Sequence, residues 1–174
     1  MIANIVLFQV GWLACVLGAA QGLPWLGTGV AVAVVAWHAL HAVRPAAELK
    51  LIAIVLLIGA VWDSLLVCLG WIAYAEGTFM AGVAPHWIWA LWALFATTLN
   101  VSLRWLKQRP LLALLLGAVC GPLSYWGAVR LGAATFTQPT AALIALAVGW
   151  ALIMPALMML AQRFDRITPQ EVKA

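Results

Sequence analysis

The chain has 174 residues, 67% of them hydrophobic and only 8% charged. Soluble domains are about 45–50% apolar and about 25% charged, so this composition excludes an ordinary soluble fold and reads as an integral membrane protein. The formal net charge is +4, spread over several short loops, and nothing in it suggests a nucleic-acid partner.

A helix needs about 20 apolar residues to cross roughly 30 Å of hydrocarbon. Six runs qualify in chain order: residues 3–20, 23–42, 51–74, 86–106, 111–131 and 139–162. Each break holds Gly, Pro or charge, as helix ends should: Gln21-Gly22, Arg44-Pro45, Glu76-Gly77, residues 107–110 and residues 132–138. Residues 1–42 read as a tight helical hairpin with Pro24 opening its second helix. The expected fold is therefore all-α, a bundle of six transmembrane helices. Residues 1–162 form its single domain, and residues 163–174 form a short cytoplasmic tail. No basic region precedes the first run, so residue 1 is read as the start of the mature chain rather than of a cleavable signal. No internal repeat is evident.

Loop charge sets the expected orientation. Arg44, Lys50, Arg104, Lys107, Arg109, Arg163, Arg166 and Lys173 fall on one side, and Arg130 alone falls on the other. Positive charge favours the cytoplasm, so both termini are expected there. Trp25, Trp71, Trp87, Trp89 and Trp105 fall near span ends, where aromatic belts sit. Trp12, Trp37, Trp62, Trp92, Trp126 and Trp150 lie deeper and read as packing residues.

Asp63 stands at the middle of run three, and its carboxyl is the most expensive group in the chain. A charge at that depth costs roughly 2.5–3.5 kcal/mol, so such a residue faces a partner or a cavity. Counting about 1.5 Å per residue from the cytoplasmic ends of runs three and five puts Ser124 and Tyr125 at the level of Asp63. Cys120-Gly121-Pro122 is expected to loosen run five there. Arg130 lies one and a half turns further and leans back toward that level. An Arg130–Asp63 pair, direct or through Tyr125, follows as an expectation. So does a larger stability loss for Arg130→Ala than for Lys107→Ala. The alternative is that Arg130 caps the span end and meets lipid phosphate.

Thr97, Asn100 and Arg104 share a face if run four is one helix, and Asn100 reads most simply as interhelical glue. In run one, Asn4, Gly11, Cys15 and Gly18 fall on one side with Trp12 beside them. Gln9 is expected to point into the bundle. His38 and His41 are three apart, too few ligands for a metal site. Cys15, Cys68 and Cys120 lie in apolar runs without a CxxC pair, which argues for packing rather than disulfides. No phosphate loop, zinc signature or nucleophile elbow is present, and no cofactor or metal is expected.

Several segments together carry a resemblance. They are Phe8-Gln9 with Trp12 and Cys15; Leu23-Pro24-Trp25-Leu26-Gly27; Trp62-Asp63; Phe95 through Leu106 with Thr97-Thr98-Leu99-Asn100; and Gly121-Pro122 with Tyr125-Trp126 through Arg130-Leu131-Gly132-Ala133. The set resembles an uncharacterised bacterial family of small inner-membrane proteins, a domain-of-unknown-function family. The resemblance implies a single multi-span domain in a bacterial inner membrane and transfers no catalytic residue. The tryptophan richness is also similar to that of the translocator-protein family, a five-span family whose motifs are not matched.

The residue pattern supports first a membrane protein with an intramembrane polar and aromatic pocket for a lipid or apolar small molecule. Asp63, Trp62, Asn100, Arg104, Tyr125, Arg130, Gln9 and Trp12 are its candidate lining. The alternatives are a lipid-modifying enzyme with Asp63 as acid or base and Tyr125 or Arg130 assisting, a small proton-linked transporter, and a structural subunit for a membrane-protein partner.

Overall fold

A computed structural model describes residues 1–165. Residues 166–174, with Arg166, Lys173 and most of the expected tail, lie outside the described residues. The chain folds as α1 (Ile2–Ala20), α2 (Pro24–His41), α3 (Pro45–Cys68), β1 (Ile72–Tyr74), α4 (His86–Leu99), a 3₁₀ turn (Arg104–Leu106), α5 (Pro110–Arg130), β2 (Ala134–Phe136) and α6 (Pro139–Asp165). Among the described residues the architecture is all-α apart from one two-stranded sheet, and four of the six helices, α1, α3, α5 and α6, are long and apolar enough to cross a membrane.

Local chemistry sets the helix ends. Proline opens α2, α3, α5 and α6, where its missing N–H is no loss and its fixed φ suits the first turn. Glycine closes α1, α3 and α5. Gly22, Gly70 and Gly132 have φ of 75°, 66° and 87°, a left-handed backbone that costs other residues energy. Each sits in the same double-bonded cap. In α3, Gly70 N–H donates to Val67 O and Trp71 N–H to Leu66 O; in α5, Gly132 N–H donates to Val129 O and Ala133 N–H to Ala128 O.

The helices form three antiparallel hairpins, α1–α2, α3–α4 and α5–α6. Helix α4 is their common centre. It packs against α1, α2, α3 and α6, and 11 of its 14 residues are buried. A helix apolar on every side belongs in an interior.

Two expected spans end earlier than their hydropathy implies. Run 51–74 stops as a helix at Cys68. Residues 72–74 instead pair antiparallel with residues 134–136, with Ala73 opposite Thr135. Run 86–106 stops as a helix at Leu99. At about 21 Å, α4 is shorter than roughly 30 Å of hydrocarbon. The side chains of Asn4 and Asn100 bind across the bundle at this point, and the chain turns under it. Thr97, Asn100 and Arg104 therefore do not share one helical face. In contrast, α5 continues as a helix through Pro122.

The structure also reveals a repeat. Gly59, Asp63, Gly70 and Ala73 in α3–β1 correspond to Gly121, Tyr125, Gly132 and Thr135 in α5–β2, each pair 62 residues apart. Gly59 accommodates the ring of Trp92 in α4, and Gly121 accommodates the ring of Trp150 in α6. Those two rings stack on each other, with centroids 4.8 Å apart and planes 11° apart. The antiparallel β1–β2 pair joins the two units at the same end.

Candidate functional site: a carboxyl-centred aromatic cleft

Asp63 lies five residues before the end of α3, not at the middle of a span. That is about 8 Å from the helix end. Tyr125 lies five residues before the end of α5, and Trp92 six residues after the start of α4. The three helices thus bring these side chains to one level. Asp63 is fully buried and accepts three hydrogen bonds: from Tyr74 Oη to Oδ1 at 2.5 Å, from Trp92 Nε1 to Oδ2 at 2.6 Å, and from Tyr125 Oη to Oδ2 at 3.0 Å. A carboxyl this deep is tolerable because every one of its donors is itself pinned by packing.

All three donors line an aromatic slot of about 80 Å³, together with Phe8, Trp12, Phe95 and Trp150, whereas Asp63 stands behind them. The slot shares Phe8, Trp12, Phe95, Ser124 and Trp150 with a wider groove of about 460 Å³. This groove runs between α1 and α5 past Leu116, Gly117, Cys120 and Gly121. Trp12 Nε1 donates to Ser124 Oγ at 3.2 Å and straps the two helices together. Chemically the cleft offers ring faces, two tyrosines and a serine hydroxyl.

The other sequence-derived candidates divide. Trp12 and Tyr125 face the slot. Gln9 lines the groove but is exposed, a correction to its expected inward direction, since its side of α1 has no helix packed over it. Trp62 turns the other way, its ring over Gly149 of α6. Arg130 is exposed at the last residue of α5, and among the described residues it forms no pair with Asp63. The carboxyl is already saturated by uncharged donors.

Asn100 and Arg104 sit at the opposite end of the bundle, in a second polar cluster. There Asn100 Nδ2 donates to Glu48 Oε1 at 2.6 Å, and His38 Nε2 hydrogen-bonds Glu48 Oε2 at 3.2 Å. Lys107 Nζ donates to Asn100 Oδ1 at 2.6 Å and to Asp165 Oδ2 at 2.8 Å. Asn4 binds Thr97 O at 3.1 Å and accepts from Ser102 at 2.7 Å. A cavity of about 370 Å³ adjoins this network. The expected single pocket is therefore two separate places, one at each end of the bundle.

Sequence reasoning missed Tyr74 and Trp92 as partners of Asp63, and Glu48 as the hub of the second cluster. Tyr74 had one usable signal, an aromatic and β-prone Trp71-Ile72-Ala73-Tyr74 directly after a Leu-Gly stop. Glu48 had another, an acid in the first turn of a helix opened by proline.

The comparisons with known proteins meet this geometry at one point. A family model described as "Protein of unknown function (DUF2878)" matches residues 1–156. No curated protein and no solved structure matches the chain. The matched stretch runs from α1 into α6 and takes in Asp63, its three donors and the groove they face. The chain accordingly belongs to the DUF2878 family of proteins of unknown function.

Proposed function

We propose that this is a six-span protein of a bacterial inner membrane, with both termini cytoplasmic, that binds a lipid chain or similar apolar molecule in the cleft between α1 and α5. One observation carries the reading. The three hydrogen-bond donors to Asp63 all present their rings to a slot that continues into the larger apolar groove. Aromatic walls with the single Ser124 hydroxyl suit an elongated apolar ligand carrying one polar group. The surroundings favour a lipid as its source, because the groove lies between two bilayer-length apolar helices. Asp63 then acts as a positioning residue that holds the wall.

The reading of Asp63 as an acid or base in lipid chemistry has less support. Its oxygens are engaged, it does not line the slot, and Arg130 is not beside it.

The test is photocrosslinking in membranes with a diazirine-bearing fatty acyl phospholipid, followed by peptide mapping. Adducts are expected to concentrate on groove residues such as Trp12, Leu116 and Cys120, and to fall when Ser124 is replaced by Trp. Equal labelling of Leu57 and Val61, which are exposed on α3 away from the groove, would refute a specific cleft.

A further inference from the structure

Early termination of α4 has a consequence at the basic end of the bundle. Residues 100–109 fold back beneath the helices as turns, and Arg104, Lys107 and Arg109 cluster on this short segment. They line a cleft of about 570 Å³ against the last turn of α6, with Trp105, Gln162 and Asp165. Irregular backbone at this depth is tolerated where it borders protein or a polar cavity.

The charges of the described residues in the cleft do not cancel. Asp165 Oδ2 takes both Lys107 Nζ, at 2.8 Å, and Arg104 Nη2, at 3.2 Å. The guanidinium of Arg109 lies 5.7 Å from the ring centroid of Trp105. Among the described residues, three cations thus face one carboxylate. Lys107 is held rigidly, its side chain 7% exposed and Gln162 Nε2 donating to its carbonyl, while the side chain of Arg104 is 65% exposed. A buried ammonium, an exposed guanidinium and a second guanidinium beside a half-exposed tryptophan surround one opening. That arrangement is suited to a phosphate at the level of lipid headgroups.

We infer that this cleft binds the phosphate of an anionic phospholipid, with Arg104 and Arg109 as its principal ligands and Trp105 packing beside the glycerol region. The site is separate from the aromatic cleft and uses none of its residues.

The experiment measures binding of phosphatidylglycerol to the full chain in detergent by native mass spectrometry, with phosphatidylcholine and inorganic phosphate as competitors. Phosphatidylglycerol is expected to remain bound in excess phosphatidylcholine. Arg104→Gln and Arg109→Gln should each weaken it about fivefold, following the usual contribution of one basic residue near an anionic surface. Arg130→Gln, at the other end, should leave it unchanged. Retention of wild-type affinity in both arginine variants overturns the proposal. So does equal binding of phosphatidylcholine, or complete displacement of the lipid by millimolar inorganic phosphate, which would mark a free-anion site. If Arg104→Gln fails to fold after losing its contact with Asp165, Arg109→Gln decides alone, because among the described residues its side chain only overlies a ring.

Discussion

Gly59 lies directly beneath the indole of Trp92, one turn before the carboxyl that receives that indole's N–H. Residues four apart share a helical face. The ring therefore lies along α3, its body over the glycine and its nitrogen at Asp63. A methyl group at position 59 would overlap the ring. Gly59→Ala is expected to lower stability by about 1–3 kcal/mol through overpacking. Gly29→Ala on α2, where a Cβ meets nothing within 4 Å, is expected to be neutral or to gain up to about 1 kcal/mol from helix propensity. Thermal melting in detergent compares them, and equal melting points would remove the close fit at Gly59.

The three donors on Asp63 give an order of effects. Asp63→Asn keeps the shape but turns an amide NH₂ toward groups that also donate. A buried donor left without an acceptor costs about 1–3 kcal/mol, so this variant should melt earlier and shift tryptophan fluorescence through Trp92. Tyr74→Phe should cost about 1–2 kcal/mol, and Tyr125→Phe less, since its bond is longer. Identical melting of all three variants and the parent would show that the carboxyl does not organise the cleft.

Lys107 and Arg130 exchange the importance that run length alone assigns them. The Lys107 side chain is 7% exposed and bonded to Asn100 and Asp165, whereas Arg130 is exposed at a helix end. Lys107→Ala should destabilise by about 1–3 kcal/mol by leaving Asn100 Oδ1 without its donor and Asp165 with Arg104 alone. Arg130→Ala should change stability by less than about 0.5 kcal/mol. The same melting assay reads both, and a larger loss for Arg130→Ala would restore an inward role for that residue.

The two glycine caps that feed the strands should behave alike. Gly70→Ala and Gly132→Ala force a side chain into the left-handed region, at about 1–2 kcal/mol each. Because β1 and β2 begin two residues after these caps, both variants should also speed hydrogen exchange at Ala73 and Thr135, the pair that faces across the ladder between the bonded 71/137 and 75/133 positions. Loss of stability without faster exchange there would uncouple the caps from the sheet.

Sequence by itself determined the order of the described helices, though not where α3 and α4 end, and the shared level of Asp63 and Tyr125. Hydrophobic run length, proline starts and glycine stops are local properties, and rise per residue converts them to depth. The buried face of Asn4, Gly11, Cys15 and Gly18 on α1 was readable for the same reason. Tertiary structure alone decided which polar groups meet. Tyr74 reaches Asp63 only because β1 folds back onto β2, and Asn100 reaches Glu48 only because α4 stops short. The repeat, too, surfaced only when glycine positions could be matched to the rings they accommodate. Burial chooses partners by where separate helices cross, and a linear pattern of apolar residues carries no record of those crossings.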